Sequence, residues 1–246
     1  NFTLIQLLRQ LDFKAYPVVL STRKNGKIIV YNPSISKLNY VIAAVFTETD
    51  TLLLDATEKY LPYYLLPFRA LNGDGMLLDK KLVMPVDISA NGKKDSSITM
   101  FTMELDNENN LKGKVSKSYS DYAAFDFRTD YHEFTNDDEY LTDFTSDIPG
   151  LKVNSNTVLN LDSIYLPVKE EFEVEIANGL EQVGDDFMLL PLLYESIREN
   201  PLKAPERKYP IDFGYPLEKQ IVANYTIPEG MIVSSIPKTI STRLPD

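Results

Sequence analysis

The sequence has no cysteine, a single histidine (His132) and no apolar run long enough to cross a membrane. Each absence closes a class of chemistry. Without cysteine, these residues supply no disulfide, no Cys-ligated zinc, no iron–sulfur cluster and no thiolate nucleophile. One histidine removes most imidazole chemistry as well. The longest apolar stretch, Tyr40 to Phe46, falls far short of the roughly 18 residues that a membrane-spanning helix needs. Cations are also scarce: 25 Lys+Arg stand against 36 Asp+Glu, a net charge of −11. Binding to a phosphate backbone depends on Lys and Arg neutralising phosphates, so nucleic acid is excluded as an expected partner.

What is present is a chain of 246 residues that is 43% hydrophobic, enough for one large or two ordinary globular domains. It opens on Leu4, Leu7, Leu8 and Leu11 at helical spacing, which predicts a helix over Asn1–Leu11 with those leucines as its apolar stripe. These first residues show no Lys/Arg-led apolar segment with a small-residue cleavage site, so no signal peptide is expected within them. A helix beginning at the first residue suggests a piece cut from a longer protein. Ala15–Thr22 has the texture of a strand, with Pro17 tolerable near a strand start or edge. Asn39–Phe46 and Thr51–Leu54, joined by polar residues 47–50, predict an antiparallel hairpin. The aromatic and Pro-rich tract from Tyr60 to Gly75 predicts an ordered loop, in which Gly73-Asp74-Gly75 is a turn.

Beyond residue 80 the pattern changes to short alternating stretches. Glu171 to Ile176 alternates charge with hydrophobe, so one strand face is wet and the other packs. Ser97–Leu105, Leu111–Ser118, Leu217–Ile227 and Met231–Ile240 are further expected strands, and Asp106–Asn110 turns the first two into a hairpin. Few helices separate them, which predicts an antiparallel β-sandwich and a mainly β (α+β) fold class. A small helical insertion is expected at about 119–150. Its second helix opens at Asn136 with Glu139 at the capping-box position, presents Tyr140, Leu141, Phe144 and Ile148, and stops at Pro149-Gly150. Residues 1–80 carry 9 basic and 7 acidic side chains whereas 81–246 carry 16 and 29, or +2 against −13. That asymmetry predicts two domains, 1–80 and 81–246, with the boundary somewhere near 80–95, where Asp87 to Asp95 is polar and contains Asn91-Gly92.

Several clusters resemble sites and have simpler readings. Asp137, Asp138 and Glu139 suit the dipole of a helix's first turn. Asp106 to Asn110 lacks the spacing and bidentate Glu of a calcium loop, and Gly73-Asp74-Gly75 lacks the third glycine and Lys-Ser/Thr of a phosphate loop. His132 has no nucleophile elbow to serve and is expected as a surface or partly packed side chain. Paired carboxylates for glycoside hydrolysis are defined by separation in space, and no sequence sign of them is present. No metal and no cofactor is expected.

Leu7-Leu8-Arg9, Ala15-Tyr16-Pro17-Val18-Val19-Leu20-Ser21-Thr22-Arg23, Leu38-Asn39-Tyr40-Val41-Ile42-Ala43 and Leu54-Asp55-Ala56-Thr57 together resemble the second half of a transglutaminase-like core. The tract Tyr60-Leu61-Pro62 to Arg69, with Leu71-Asn72-Gly73, is similar to the segment that follows this core in exported bacterial proteins, where the core lies between β-sandwich domains. Glu199-Asn200-Pro201, Arg207 to Pro216, Ile227-Pro228-Glu229-Gly230 and Ile236-Pro237 are similar to the C-terminal sandwich of that family.

The resemblance implies a Cys-His-Asp triad, in which cysteine attacks an amide carbonyl, histidine takes the thiol proton and aspartate orients the imidazole. Asp55 matches the orienting acid. Tyr40 stands where the histidine belongs, and the cysteine position falls upstream of Asn1. A phenol with a pKa of about 10 is a poor base at neutral pH. The implied function is therefore a non-catalytic binding or scaffold module for a protein or peptide partner, in the periplasm or at the cell surface. The alternative is part of a cysteine-dependent amide hydrolase or acyl transferase whose nucleophile lies upstream. Tyr40 and Asp55 are the candidate relic positions, and the plainer reading of Asp55 is a hydrogen-bonding acid at a strand end.

Overall fold

A computed structural model describes residues 1–32, 34–197, 199, 203, 206, 208 and 210–243. Its first part is the helix α1 (Phe2–Gln10) followed by strands β1 (Lys14–Leu20), β2 (Tyr40–Phe46), β3 (Thr51–Leu54), β4 (Gly73–Leu78) and β5 (Val83–Ile88). They form one antiparallel sheet in the order β3-β2-β1-β4-β5. Both faces of its centre are covered, which is why β2 is a continuous apolar run and does not alternate. On one face Ala15, Ala43 and Val45 meet α1; on the other Val18, Leu20, Ile42 and Ala44 meet the tract 61–71.

The helix is rotated from its expected stripe. Leu4, Ile5 and Leu8 face the sheet, while Leu7 and Leu11 are exposed. Ile5, one position from Leu4, moves the centre of the buried arc away from Leu7. Pro17 lies in the central strand, yet β4 pairs with β1 only over Val18–Leu20, so the proline sits beyond the end of that ladder.

The tract after β3 is an irregular, ordered loop that buries Leu61, Leu65, Leu66, Ala70 and Leu71. The expected turn at Gly73-Asp74-Gly75 is instead the start of β4. Gly75 is needed for packing, since a Cβ there would lie 2.7 Å from the Val18 Cγ1. Pairing of β4 with β5 carries the first sheet to Ile88, into the 80–95 stretch.

The second part contains β6 (Asp95–Leu105), β7 (Leu111–Asp121), α2 (Tyr122–Tyr131), α3 (Asp137–Ser146), β8 (Leu151–Leu159), β9 (Val168–Ile176), β10 (Leu180–Val183), β11 (Asp186–Leu189) and β12 (Leu217–Thr226). A five-stranded sheet runs β12-β6-β7-β9-β8, and β10 pairs with β11 as a separate hairpin. The mainly β class expected from the alternating pattern holds. The strand β12 departs from the antiparallel rule, running parallel to β6. Phe101, Met103, Val115, Phe172 and Val174 point to the inner face, where Leu141 and Phe144 of α3, Leu180 and Leu189 of the hairpin, and Tyr194 cover them.

Met231–Ile240 forms no strand: among the described residues it makes no ladder, and Ile232, Ile236 and Ile240 are exposed. The resemblance residues Asn200, Pro201, Arg207 and Tyr209 lie outside the described residues.

The two sheets meet through α2 and the approach to β12. Tyr122 stacks on Tyr215 with ring centroids 3.9 Å apart and donates to the Leu66 carbonyl at 3.1 Å. Arg128, 0% exposed, gives its guanidinium to the carbonyls of Asn160, Leu161, Ser163 and Leu166 at 2.7–3.1 Å. Among the described residues no carboxylate pairs with it, so backbone dipoles alone compensate a buried charge.

Candidate functional site

Tyr40 opens β2 and Asp55 directly follows β3, so the β2–β3 hairpin returns the chain from one to the other. The return is set by the polar residues between the strands: Thr47 accepts at its Oγ1 from the Asp50 amide and donates from it to the Asp50 carbonyl, both at 2.9 Å. The Tyr40 hydroxyl donates to Asp55 Oδ2 at 2.8 Å. Asp55 is buried, and its Oδ1 accepts from the Thr57 amide at 2.8 Å and from the Thr57 hydroxyl. Both hydroxyl protons are then committed to one carboxylate, leaving the two hydroxyl oxygens as acceptors.

Arg69 supplies the donors they accept from. Its Nη2 donates to the Tyr40 oxygen at 2.9 Å and to Thr57 Oγ1, its Nε lies 3.2 Å from the Tyr40 oxygen, and its Nη1 pairs with Glu58. The start of α1 closes the same end of the hairpin. Asn1 donates through Nδ2 to the Val41 carbonyl at 2.8 Å and accepts at Oδ1 from the Ala56 amide at 2.9 Å. Burial pushes the Tyr40 phenol above its ordinary value, Thr57 and Arg69 pull it back, and Asp55 adds to the rise. The result is a neutral phenol clamped between an acid and a guanidinium.

Such an arrangement positions and orients groups; it offers no free base. Two cavities, of about 620 and 290 Å³, occur elsewhere, and neither is lined by Tyr40, Asp55, Thr57 or Arg69. Among the described residues no group of three or more His, Cys, Asp or Glu side chains is placed to hold a metal ion. No helix among them is long and apolar enough to cross a membrane.

The other candidates are in different places. His132 stacks on Tyr60 at 4.3 Å, with Nδ1 2.7 Å from the Arg128 carbonyl. Asn136 accepts from the Glu139 amide at 2.9 Å and Glu139 from the Thr135 amide at 2.7 Å, so the acidic run is a helix start. Asp106 accepts from the amides of Glu108 and Asn110 as a hairpin turn.

Sequence reasoning missed Arg69, for which no local signal exists, and Thr57, whose position two residues after Asp55 is that of an Asx-type turn. It also missed Glu170, 1% exposed on the inner face of β9, where Tyr140 donates to Oε1 at 2.6 Å and Tyr119 to Oε2 at 3.0 Å. Burial raises the Glu170 carboxyl above the ordinary carboxylate range, against the lowering effects of its two phenols and Lys117. The Lys117 ammonium itself pairs with Glu195 at 2.9 Å. A signal for Glu170 was present: continuing the alternation of Phe172, Val174 and Ile176 back by two puts it on the apolar face.

One family model, a domain of unknown function with a solved structure (DUF3858), matches residues 185–245. That stretch includes β12 and Tyr215, which joins the two sheets. Searches of curated proteins and of solved structures return no match to the chain.

Proposed function

We propose that the chain is a non-catalytic portion of a transglutaminase-like protein, in which the Tyr40–Asp55 core and the following sheet serve as a binding or scaffold module for a protein or peptide outside the cytoplasm. The observation that carries this reading is the bonding of Tyr40. It occupies the position where the resemblance calls for histidine, donates its proton to Asp55 and accepts from Arg69. A phenol pushed above its ordinary value of 10.0 keeps its proton at neutral pH, so it takes none from a thiol. The match at 185–245 falls on the same stretch as the resemblance to the family's C-terminal sandwich and is compatible with it.

The second reading is a portion of a cysteine-dependent amide hydrolase or acyl transferase. Asn1 favours it, because its carboxamide bridges Val41 and Ala56 and so puts the start of α1 beside Asp55. The resemblance would bring a cysteine from that side. The test is the full-length protein, unsubstituted and carrying Tyr40→His, assayed on a peptide amide with and without a thiol-blocking reagent. No hydrolysis is expected. Thiol-dependent hydrolysis by the unsubstituted full-length protein would establish the second reading, whereas hydrolysis gained only with Tyr40→His would mean that the core has lost nothing but the histidine.

A further inference from the structure

The cavity of about 290 Å³ opens between the start of β3, the end of β5 and the loop carrying Tyr63 and Tyr64, and its size is at the lower end of ligand pockets. Its wall is aromatic and continues outward. Tyr64 is half-buried in it; the Tyr63 ring follows at 5.6 Å, and Tyr165 lies 5.9 Å beyond Tyr63. Tyr63 is 53% and Tyr165 59% exposed, so the three rings form a strip leading from the cavity to solvent. Large aromatic faces held open to water in a row are costly unless something covers them.

The rim has charges of both signs, and among the described residues none is paired with an opposite charge. Asp87 faces Asp74 across the β4–β5 ladder, a like-charge pair. Asp50 accepts at Oδ1 from the Thr51 amide at 2.7 Å, and its Oδ2 makes no hydrogen bond among the described residues. The Lys93 ammonium rests over the Tyr64 ring at 4.6 Å. Among the described residues Asp50, Asp87 and Lys93 make no ion pair, although all three line one cavity.

This combination selects the ligand by elimination. Lys93 already covers the Tyr64 face that a cationic ligand would seek, an anionic ligand meets the two aspartates, and an apolar ligand displaces the water on all three charges without replacing its hydrogen bonds. A proline-rich peptide suits the ring strip and offers carbonyls to Lys93, but it has no donors for the carboxylates. A neutral polyol meets every requirement: hydroxyls donate to Asp50 and Asp87, accept from Lys93 and Asn91, and the C–H face of a sugar ring lies on tyrosine. We propose that this cavity and its tyrosine strip bind a neutral oligosaccharide.

The experiment is calorimetric titration of the whole chain with cellohexaose, maltohexaose, xylohexaose and chitohexaose, and with decaproline as the peptide competitor. Saturable binding of at least one sugar is expected, weakened roughly tenfold or more by Tyr63→Ala and by Tyr165→Ala. Both side chains are exposed, and circular dichroism will show that the variants fold. Asp87→Asn should weaken the same sugar, and Tyr31→Ala, fully exposed elsewhere, should not. The proposal is overturned if none of the four sugars binds, if binding ignores both tyrosine variants, or if decaproline alone binds at these tyrosines.

Discussion

Arg69 fastens the irregular segment 55–72 beside the first sheet, with Arg23 holding its far end at Leu71, and Arg128 fastens the segment 160–167 beside the second; Arg69 and Arg128 meet different things. Arg69 is partly open to water and touches hydroxyls and the Glu58 carboxylate. Arg128 is sealed and touches only backbone carbonyls. When Arg69 is lost, water can replace it at the hydroxyls, whereas losing Arg128 strands a ring of buried acceptors. The first region spreads its polar groups in a network at the rim. The second hides single charges, Arg128 and Glu170, and compensates them with dipoles and phenols.

The sharpest way to break this contrast is Arg128→Met, expected to cost about 3–5 kcal/mol because several buried carbonyls lose their donor together. Urea unfolding measures it, and a cost no larger than that of Arg69→Met would erase the distinction. Next is Tyr40→Phe, which removes the hydroxyl donated to Asp55 and should cost roughly 1.5–3 kcal/mol, the range for a bond to a charged group. An unchanged midpoint would show that the pair contributes nothing to the fold. Arg69→Met should cost about 1 kcal/mol or less, as expected of a partly exposed ion pair that salt screens; repeating the melts in high salt should shrink the difference further.

The smallest effect is a matter of slope. In the fold Glu170 holds its proton to higher pH than its ordinary 4.5. Stability from this group is therefore greatest in acid and declines as pH rises through the raised value. Glu170→Gln should flatten the fall in unfolding midpoint that this group causes as pH rises above its ordinary 4.5. A variant with the wild-type slope would place the titration elsewhere.

How far the sequence disclosed this arrangement depends on the range of each interaction. The alternation in β9 and the capping box at Asn136 are local, and both are where the pattern put them. The Tyr40–Asp55 contact follows from the resemblance, which places base and acid side by side, and the short hairpin does bring these residues, fifteen apart, together. Gly75 was not, since its role depends on Val18 in a strand more than fifty positions earlier, and the same local glycine signal fits a turn. The orientation of β12 is likewise invisible to periodicity, which is the same for a parallel and an antiparallel neighbour. The helix stripe failed by one position because Ile5 competes with Leu7 for the sheet, a choice that only packing decides.

The parallel register of β12 on β6 also sets an order of events. Asp95 and Leu217 are opposite one another across roughly 120 residues of chain, whereas β6 and β7 are joined by a short turn. Closing the longer loop costs roughly 2.5–3 kcal/mol more in chain entropy, so the hairpin assembles early and β12 settles last. Until it does, β6 is an open edge rich in Ile, Met and Phe, and the slowest phase of refolding is also the one most exposed to self-association.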